Sequence, residues 1–582
     1  MMLRFLVMLC LLLWPLLGLQ PACARDTGVD RHVRHFVVEP SGAYLLTVEQ
    51  TQTIVERTAL PEHARYEIGY NQALEDIIAV EAYTEKADGR RLAVQPHHIR
   101  DQQQAAPVDA PMFQTMRLKI VEFPDVEAGD RVAVHYVVRR HTPLFTGHFE
   151  DLSSARVQRQ RDFRLVYDMP AAMLLHADAN GFIPTTVAHL PAPPAGKRRY
   201  AWRYLDGDNA RPEAGSVSEL DYGKRLAVST FADYAALARA YQNRAGARAL
   251  PNDTVAALAV RVTGDLVEPR ARAIALSDWV RRNVRYVGMH LGPGGVVQHA
   301  AASVLANRYG DANDHTTLLV ALLASAGIDS TVALVNNGNA YQLPAAPTLG
   351  VLNHAIVYVP SLQLYLDPTA DSVAGGFLPA ALLGKPAVLT RSGEFAMLPF
   401  FQQAHSRTLT QFTIQPDGSS RLRVMRTGSD ALAEQYRHVP GGDVAIPLRT
   451  ASNGFTQPPG PARLATTYDL RGSLGEAVFA FTQEPERHQD FVCPAIDAED
   501  EVRFHLPTRL RVLALPRATH VDDANFAYHS RYAQRGALVT VQRQLKFRHT
   551  AATCTPDDYR RMRPALQRMV RDLRSQVVLR RG

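Results

Sequence analysis

Between His32 and about Leu174 apolar and polar residues alternate along the chain. Tyr44, Leu46 and Val48 interleave with Leu45, Thr47 and Glu49, and Val132, Val134, Tyr136 and Val138 interleave with Arg131, Ala133, His135 and Val137. A period of two sends successive side chains to opposite faces, so these runs predict strands. Turn signals separate them, Pro40-Ser41-Gly42 and Ala128-Gly129-Asp130 among others. Short alternating strands spaced this way predict an antiparallel β-sandwich. A loop-rich join through Pro191, Pro193, Pro194 and Gly196 follows, and a strand resumes over residues 200–204.

After Ser229 the period becomes helical. Tyr234, Leu237, Ala238 and Tyr241 fall on one face, and further helices are predicted over residues 254–263 and 269–283. Trp279 sits in the last of these at helical spacing and reads as core. Residues 305–323 pass from a polar, Gly-containing half to an unbroken apolar half, as a loop does on entering a buried helix, with Asp311 or Asn313 as its cap. Strands are predicted over 331–335, 355–359 and 362–366. From about Ser406 strands return, 412–414 and 422–424 joined across Pro416-Asp417-Gly418, then 464–470, 477–481, 510–515 and 537–545. A last helix opens at Thr555-Pro556-Asp557-Asp558. Its apolar stripe is Tyr559, Met562, Leu566, Met569, Leu573 and Val577, with Pro564 inside it.

At 582 residues the chain exceeds one core and implies a multidomain α+β protein. The expected order is a leader over 1–24, an N-terminal β-sandwich over 25–225, an α+β core over 226–395, and a C-terminal β domain with its terminal helix over 396–582. The formal charge of +7 is spread over the length, which argues against a nucleic-acid surface. Arg4, the apolar run to Leu19 and Ala22-Cys23-Ala24 have the layout of a secretory leader, which implies a periplasmic or secreted protein. The run is too short for a membrane anchor, so the mature chain is read as lacking a transmembrane segment, and Gln20 and Pro21 are poor neighbours for lipid attachment at Cys23. Behind the leader only Cys493 and Cys554 remain. They either form one bridge or stand as two buried thiols, and spacing does not decide between these.

The chemistry-bearing residues fall in three linked motifs: Tyr309-Gly310-Asp311-Ala312-Asn313-Asp314, Asn353-His354-Ala355 and Leu366-Asp367-Pro368-Thr369. In order, type and spacing these resemble the transglutaminase-like core of papain-type cysteine enzymes in exported bacterial proteins, and Trp279, Tyr286, Gly294-Gly295 and Val304-Leu305 extend the likeness. Phe123-Pro124-Asp125-Val126 with Gly129-Asp130 resembles the domain of unknown function that commonly precedes such cores. The resemblance implies a cysteine nucleophile at a helix start, with His354 as base and Asp367 as its orienter. Alanine stands at the nucleophile position, Ala312, which removes the only atom able to form an acyl intermediate. His354 and Asp367 are then vestigial, and the expected protein is a catalytically inactive binding or assembly module of the cell envelope. Its partner would be an envelope protein, a peptide or a glycan, with no cofactor and no metal. The competing reading is an active amide hydrolase or acyl transferase that uses a surrogate nucleophile, Asp311 or Asp314, or a metal held by His315 with His354, Asp367 or Asp314. His315 is expected instead to face solvent on the first helical turn.

The leader reading predicts an exported chain that begins at Arg25. Intact-mass measurement of the protein recovered from the envelope checks this, and an acylated Cys23 at the terminus would overturn it.

Overall fold

A computed structural model describes residues 28–581 except 104–110, 114, 156–159, 189, 206–210, 289–297, 401–404, 416–418, 429–443, 448–461 and 468–473. The predicted leader, Gly294-Gly295, the turn Pro416-Asp417-Gly418 and residues 468–470 lie outside the described residues.

The alternating N-terminal pattern builds an eight-stranded sheet. Across it run Ile183–Pro184, Lys197–Leu205, Asp162–Pro170, Val29–Val38, Tyr44–Thr53, Arg131–Arg140, Glu75–Glu85 and Arg91–Ala93. Neighbours are antiparallel except Val29–Val38 with Asp162–Pro170, which are parallel. Leu46 opposes Val138 and Val48 opposes Tyr136, so the apolar rows of adjacent strands share one face. Two three-stranded sheets cover that face. One holds Arg65–Asn71, Met116–Glu122 and Ile99–Gln103, packed through Val121 and Phe123 on Ala82, Val132 and Val134. The other holds His176–Asn180, Arg225–Ser229 and Glu150–Ser154, packed through Leu226 and Val228 on Phe36, Leu165 and Tyr167. The sheet therefore continues past residue 225.

The central unit is organised around one buried helix, Ala312–Ser325, whose Leu318, Leu319, Leu322 and Leu323 are fully buried. Helices Asp253–Thr263, Pro269–Asn283 and Ala301–Asn307 surround it, and the strand His354–Val359 backs it through Val357 and Val359. That strand belongs to a five-stranded antiparallel sheet in the order Leu364–Leu366, His354–Val359, Thr331–Val335, Pro386–Leu389, Phe395–Met397. The same face of the sheet also meets Tyr234–Ala245 through Val332, Leu334, Ala355 and Val388, and Leu237, Ala238 and Tyr241 form that helix's predicted face.

Three carboxylates of the first unit hold the chain between Val335 and His354. Asp221 accepts the Tyr341 and Gln342 N–H groups at 2.8 and 3.2 Å, Asp178 accepts Ala345 N–H at 2.7 Å, and Glu150 accepts Leu349 N–H at 2.6 Å. Burial pushes the Glu150 carboxyl up to about 8, against the pull of the Leu349 bond. From within the core, the buried Lys385 ammonium donates to Asn336 and Gly338 carbonyls.

The C-terminal unit is a seven-stranded sheet that includes the hairpin His405–Ile414 with Ser419–Gly428 and, parallel to the first of these, Asp497–His505. It differs from expectation at residues 477–481. These belong to a helix, Leu474–Phe481, not a strand. A short apolar run satisfies either period; here Leu474 and Val478, four apart, are buried together, and the Asp500 carboxylate accepts the Leu474 N–H at 2.9 Å. The last helix, Pro556–Leu573, opens with a Thr555–Asp558 capping box and buries the predicted stripe as far as Leu573. Val577 leaves that stripe, because the chain turns at Arg574 and runs on as the strand Gln576–Arg581. Cys493 and Cys554 are bridged, with Cα atoms 5.2 Å apart. No helix among the described residues is long and apolar enough to cross a membrane.

One buried network ties the last helix to its sheet. Asp572 accepts from Tyr528 at 2.5 Å, Ser530 at 2.8 Å, Tyr532 at 3.0 Å and the Arg543 Nε–H at 3.3 Å, and Arg543 also donates to Thr466 carbonyl and hydroxyl at 2.7 Å each. Removing one member of such a pair strands the other charge in the interior. Asp572→Ala is expected to cost about 3 to 5 kcal/mol in urea unfolding, and Asp572→Asn less, since the amide oxygen still accepts.

Candidate functional site

The site begins where the chain leaves the short helix Ala301–Asn307. Arg308 adopts the left-handed conformation, φ 62°, which ends that helix and turns the chain into Tyr309-Gly310. These two residues pair in parallel with Arg285-Tyr286, tethering the turn to the end of Pro269–Asn283. Gly310 is required by close approach: a Cβ there would lie 2.5 Å from the Asp314 Cβ. Asp311 then caps the buried helix, accepting Asp314 N–H at 2.9 Å while Asp314 reaches back to Asp311 N–H. Ala312, 7% exposed, is the first residue of that helix.

His354 stands at the start of its strand with Nε2 3.0 Å from the Asp367 carboxylate, and both are buried. The second Asp367 oxygen accepts from Thr369 N–H at 2.9 Å and from its hydroxyl at 2.7 Å. Burial alone would raise the Asp367 carboxyl; the His354 ring and the Thr369 bonds outweigh it and hold the group below the usual carboxylate range. Asn353 is not turned into this pair, since its side-chain oxygen accepts Asn337 N–H at 2.7 Å.

His315 does not face solvent. It is 1% exposed, with Nδ1 2.7 Å from Asp311 carbonyl and Nε2 3.1 Å from Val284 carbonyl. Apolar Leu318 and Leu319 lie on the next turn, and the ring fills the gap between the helix start and the end of Pro269–Asn283. Burial pushes its basicity down while the two carbonyls pull it up. With a carbonyl opposite each ring nitrogen, neither lone pair is directed at a metal. Trp279 is half-buried against the core with the Arg308 guanidinium 4.7 Å above its ring.

His299 belongs to the site although no sequence signal marks it. Its N–H and Nδ1 approach the Asp314 carboxylate at 2.8 and 3.0 Å, and that bond raises its basicity against the effect of burial. Asp311 is pushed well above the usual carboxylate range, by burial first and by Asp314 beside it second. Asn313 is held by the Tyr241 hydroxyl at 2.7 Å. The N-terminal unit reaches in as well: Phe113 packs with Tyr309 and Val287, and Met112 N–H donates to the Tyr309 hydroxyl at 2.9 Å. Beside these residues lies a cleft of about 290 Å³ lined by His315, Tyr286, Thr369, Arg281, Arg282 and Arg308, among others.

Family models match the chain in three places. A domain of unknown function, DUF3857, matches residues 40–207, the transglutaminase-like superfamily core matches 256–360, and a second domain of unknown function, DUF3858, matches 474–579. No curated protein matches the chain. Among solved structures it is similar to a candidate protease from Parabacteroides distasonis, at 14% identity over 96% of this chain and 99% of that one, with a TM-score of 0.72. A candidate cysteine protease from Cytophaga hutchinsonii aligns at 12% identity over 57% of this chain and 78% of that one, with a TM-score of 0.16.

Asp311 carries a testable pH dependence. Its raised value means the folded protein holds a proton that the unfolded chain releases at about pH 4, so stability falls as pH rises from there toward the folded-state value. Asn also caps helices, so Asp311→Asn is expected to keep the fold and flatten that slope. Urea unfolding between about pH 4.5 and about pH 8.5 should show the variant gaining on the wild type with rising pH; parallel curves would remove the assignment.

Proposed function

We propose a function from the premise that the chain carries a transglutaminase-like core between two domains of unknown function. It is an exported, catalytically inactive member that acts as a binding or assembly module in the cell envelope. The observation that carries this is Ala312 at the first turn of the buried helix, where the resemblance implies the nucleophile, in a core that retains the His354–Asp367 pair. A thiol at a helix N-terminus is lowered in pKa and attacks as thiolate; a methyl group has no such chemistry. The leader pattern supports export. The cleft beside Tyr286 and Thr369 supports a retained ligand, an envelope protein, peptide or glycan, and Arg282 and Arg308 at its exposed rim suit anionic groups on it.

Hydrolysis or acyl transfer through a surrogate group fits less well. Asp311 and Asp314 are buried and committed to the capping box and to His299, and His315 has both nitrogens on carbonyls.

Restoring the missing atom tests the reading. Ala312→Cys is expected to give a thiol that titrates below the free value of about 8.5 and alkylates quickly with iodoacetamide, and Ala312→Cys with His354→Ala is expected to lose that reactivity. The wild type is expected to leave amide and ester substrates unchanged, with or without added zinc. Turnover by the wild type would sink the proposal, and an introduced thiol indifferent to His354 would reduce the likeness to one of fold.

A further inference from the structure

Cys493 and Cys554 are bridged, yet the bond is not all that holds their strands together. Phe491–Val492 and Thr553–Cys554 pair as a short antiparallel ladder, with Phe491 opposite Cys554, and Cys493 N–H donates to the Ala552 carbonyl at 2.9 Å. Both cysteines are buried in a core that includes Phe491, Phe547, Tyr559 and Met562. Thr555, next after Cys554, caps the helix Pro556–Leu573. Neither ladder nor core passes through the bridge, so the two side chains stay adjacent when it opens.

A third donor stands beside them. His549, half-buried, turns the ring edge that carries its nitrogens toward the Cys554 sulfur, which lies 3.7 Å from Nδ1 and 3.9 Å from Nε2. The Phe547 ring stacks on that imidazole with centroids 5.8 Å apart. His315 has a carbonyl opposite each nitrogen; His549 bonds to no carbonyl or carboxylate among the described residues, so a lone pair is available. The two sulfurs and a His549 nitrogen all lie within 4.8 Å of one another. Around a tetrahedral zinc ion, with Zn–S about 2.3 Å and Zn–N about 2.0 Å, such donors stand roughly 3.5 to 4 Å apart. With Cα atoms 5.2 Å apart, rotation about the Cα–Cβ bonds parts the sulfurs to that span. Of the charges nearby, Asp523 and Asp558 act on the ring and favour a cation, and the Arg548 guanidinium is drawn to Asp522 at 3.0 Å.

We propose that Cys493, His549 and Cys554 form a zinc site in the reduced protein, so that bridge and metal are alternative states of one cluster. A dithiol reductant opens the S–S bond and leaves as its own disulfide, its two electrons and two protons passing to Cys493 and Cys554 as thiols. Zinc then takes both sulfurs as thiolates and releases those two protons. The positive end of the helix that starts two residues after Cys554 stabilises the charge on its sulfur. His549 supplies the third ligand, and water fills the fourth position on the solvent side of the ring. Paired thiolates with an imidazole select zinc over magnesium or calcium. The cluster belongs to the C-terminal unit and shares no residue with the surroundings of Ala312, so it stands apart from the reading of the core.

The test uses the purified full chain, reduced with a phosphine in the absence of oxygen and titrated with cobalt(II) as a spectroscopic stand-in, then with zinc. Expected in the reduced chain are a thiolate-to-cobalt charge-transfer band and the intense visible bands of a tetrahedral ion, saturating at one equivalent and bleached by zinc. The oxidised chain is expected to show neither. His549→Ala is expected to weaken cobalt at least roughly tenfold, since loss of even an outer partner of a metal ligand has that effect. Zinc is expected to raise the melting temperature of the reduced wild type more than that of reduced His549→Ala, a readout that holds where reduction loosens the unit. A reduced chain without the charge-transfer band, the same spectrum in the oxidised chain, or a His549→Ala variant that binds cobalt as tightly as the wild type would each overturn the proposal.

Discussion

The central unit depends on a segment that cannot satisfy its own backbone. Between Val335 and His354 the chain makes no strand or helix, and buried N–H groups without a partner are costly. Glu150, Asp178 and Asp221 supply acceptors from the preceding unit, and Lys385 gathers carbonyls from the same loop. His354 follows directly on that segment and pairs with Val335, so the imidazole is held by its own ladder and by a loop anchored from outside the sheet. The C-terminal unit closes the same interlock: Glu213 accepts His488 and Gln489 N–H groups, and Val217 N–H donates to the Asp490 carbonyl. The three units are therefore one mechanical object.

Within that object, the residues around Ala312 are held by structural demands that persist without chemistry. Asp311 and Asp314 cap the start of a helix where Asp311, Ala312 and Asp314 are buried. Gly310 makes room for Asp314, and Asp367 joins His354 to the Thr369 turn. Loss of either carboxylate would leave a buried polar group unpaired, so these residues answer to structural demands whatever stands at position 312.

Much of this was legible in the sequence where period and caps agree. Pro269–Asn283 and Thr331–Val335 fall on the residues that spacing indicates, Thr555 caps the last helix as its type suggests, and of Asp311 and Asn313 it is Asp311 that caps the buried helix. The resemblance carried by the three motifs implies His354 beside Asp367, and the two are 3.0 Å apart. Legibility failed where the deciding partner is remote. Residues 474–481 satisfy either period, and only packing and the Asp500 carboxylate select the helix. His315 looks like any polar residue on a first turn; the Val284 carbonyl that receives it lies 31 positions away. His299 joins Asp314 from a stretch with no periodicity.

The parallel pairs in the outer sheets bear on the order in which the molecule can form. His32 pairs with Phe163, and Ser406 with Ala498, so each outer sheet has an interior row whose neighbour is made long after it. During synthesis Val29–Val38 has the hairpin partner Tyr44–Thr53 at once but waits for Asp162–Pro170, and closing that distance costs loop entropy before any contact rewards it. Each sheet must therefore assemble late and slowly for its size. In the interval the nascent chain exposes an unpaired apolar edge, the species that a holding chaperone recognises and that aggregates without one.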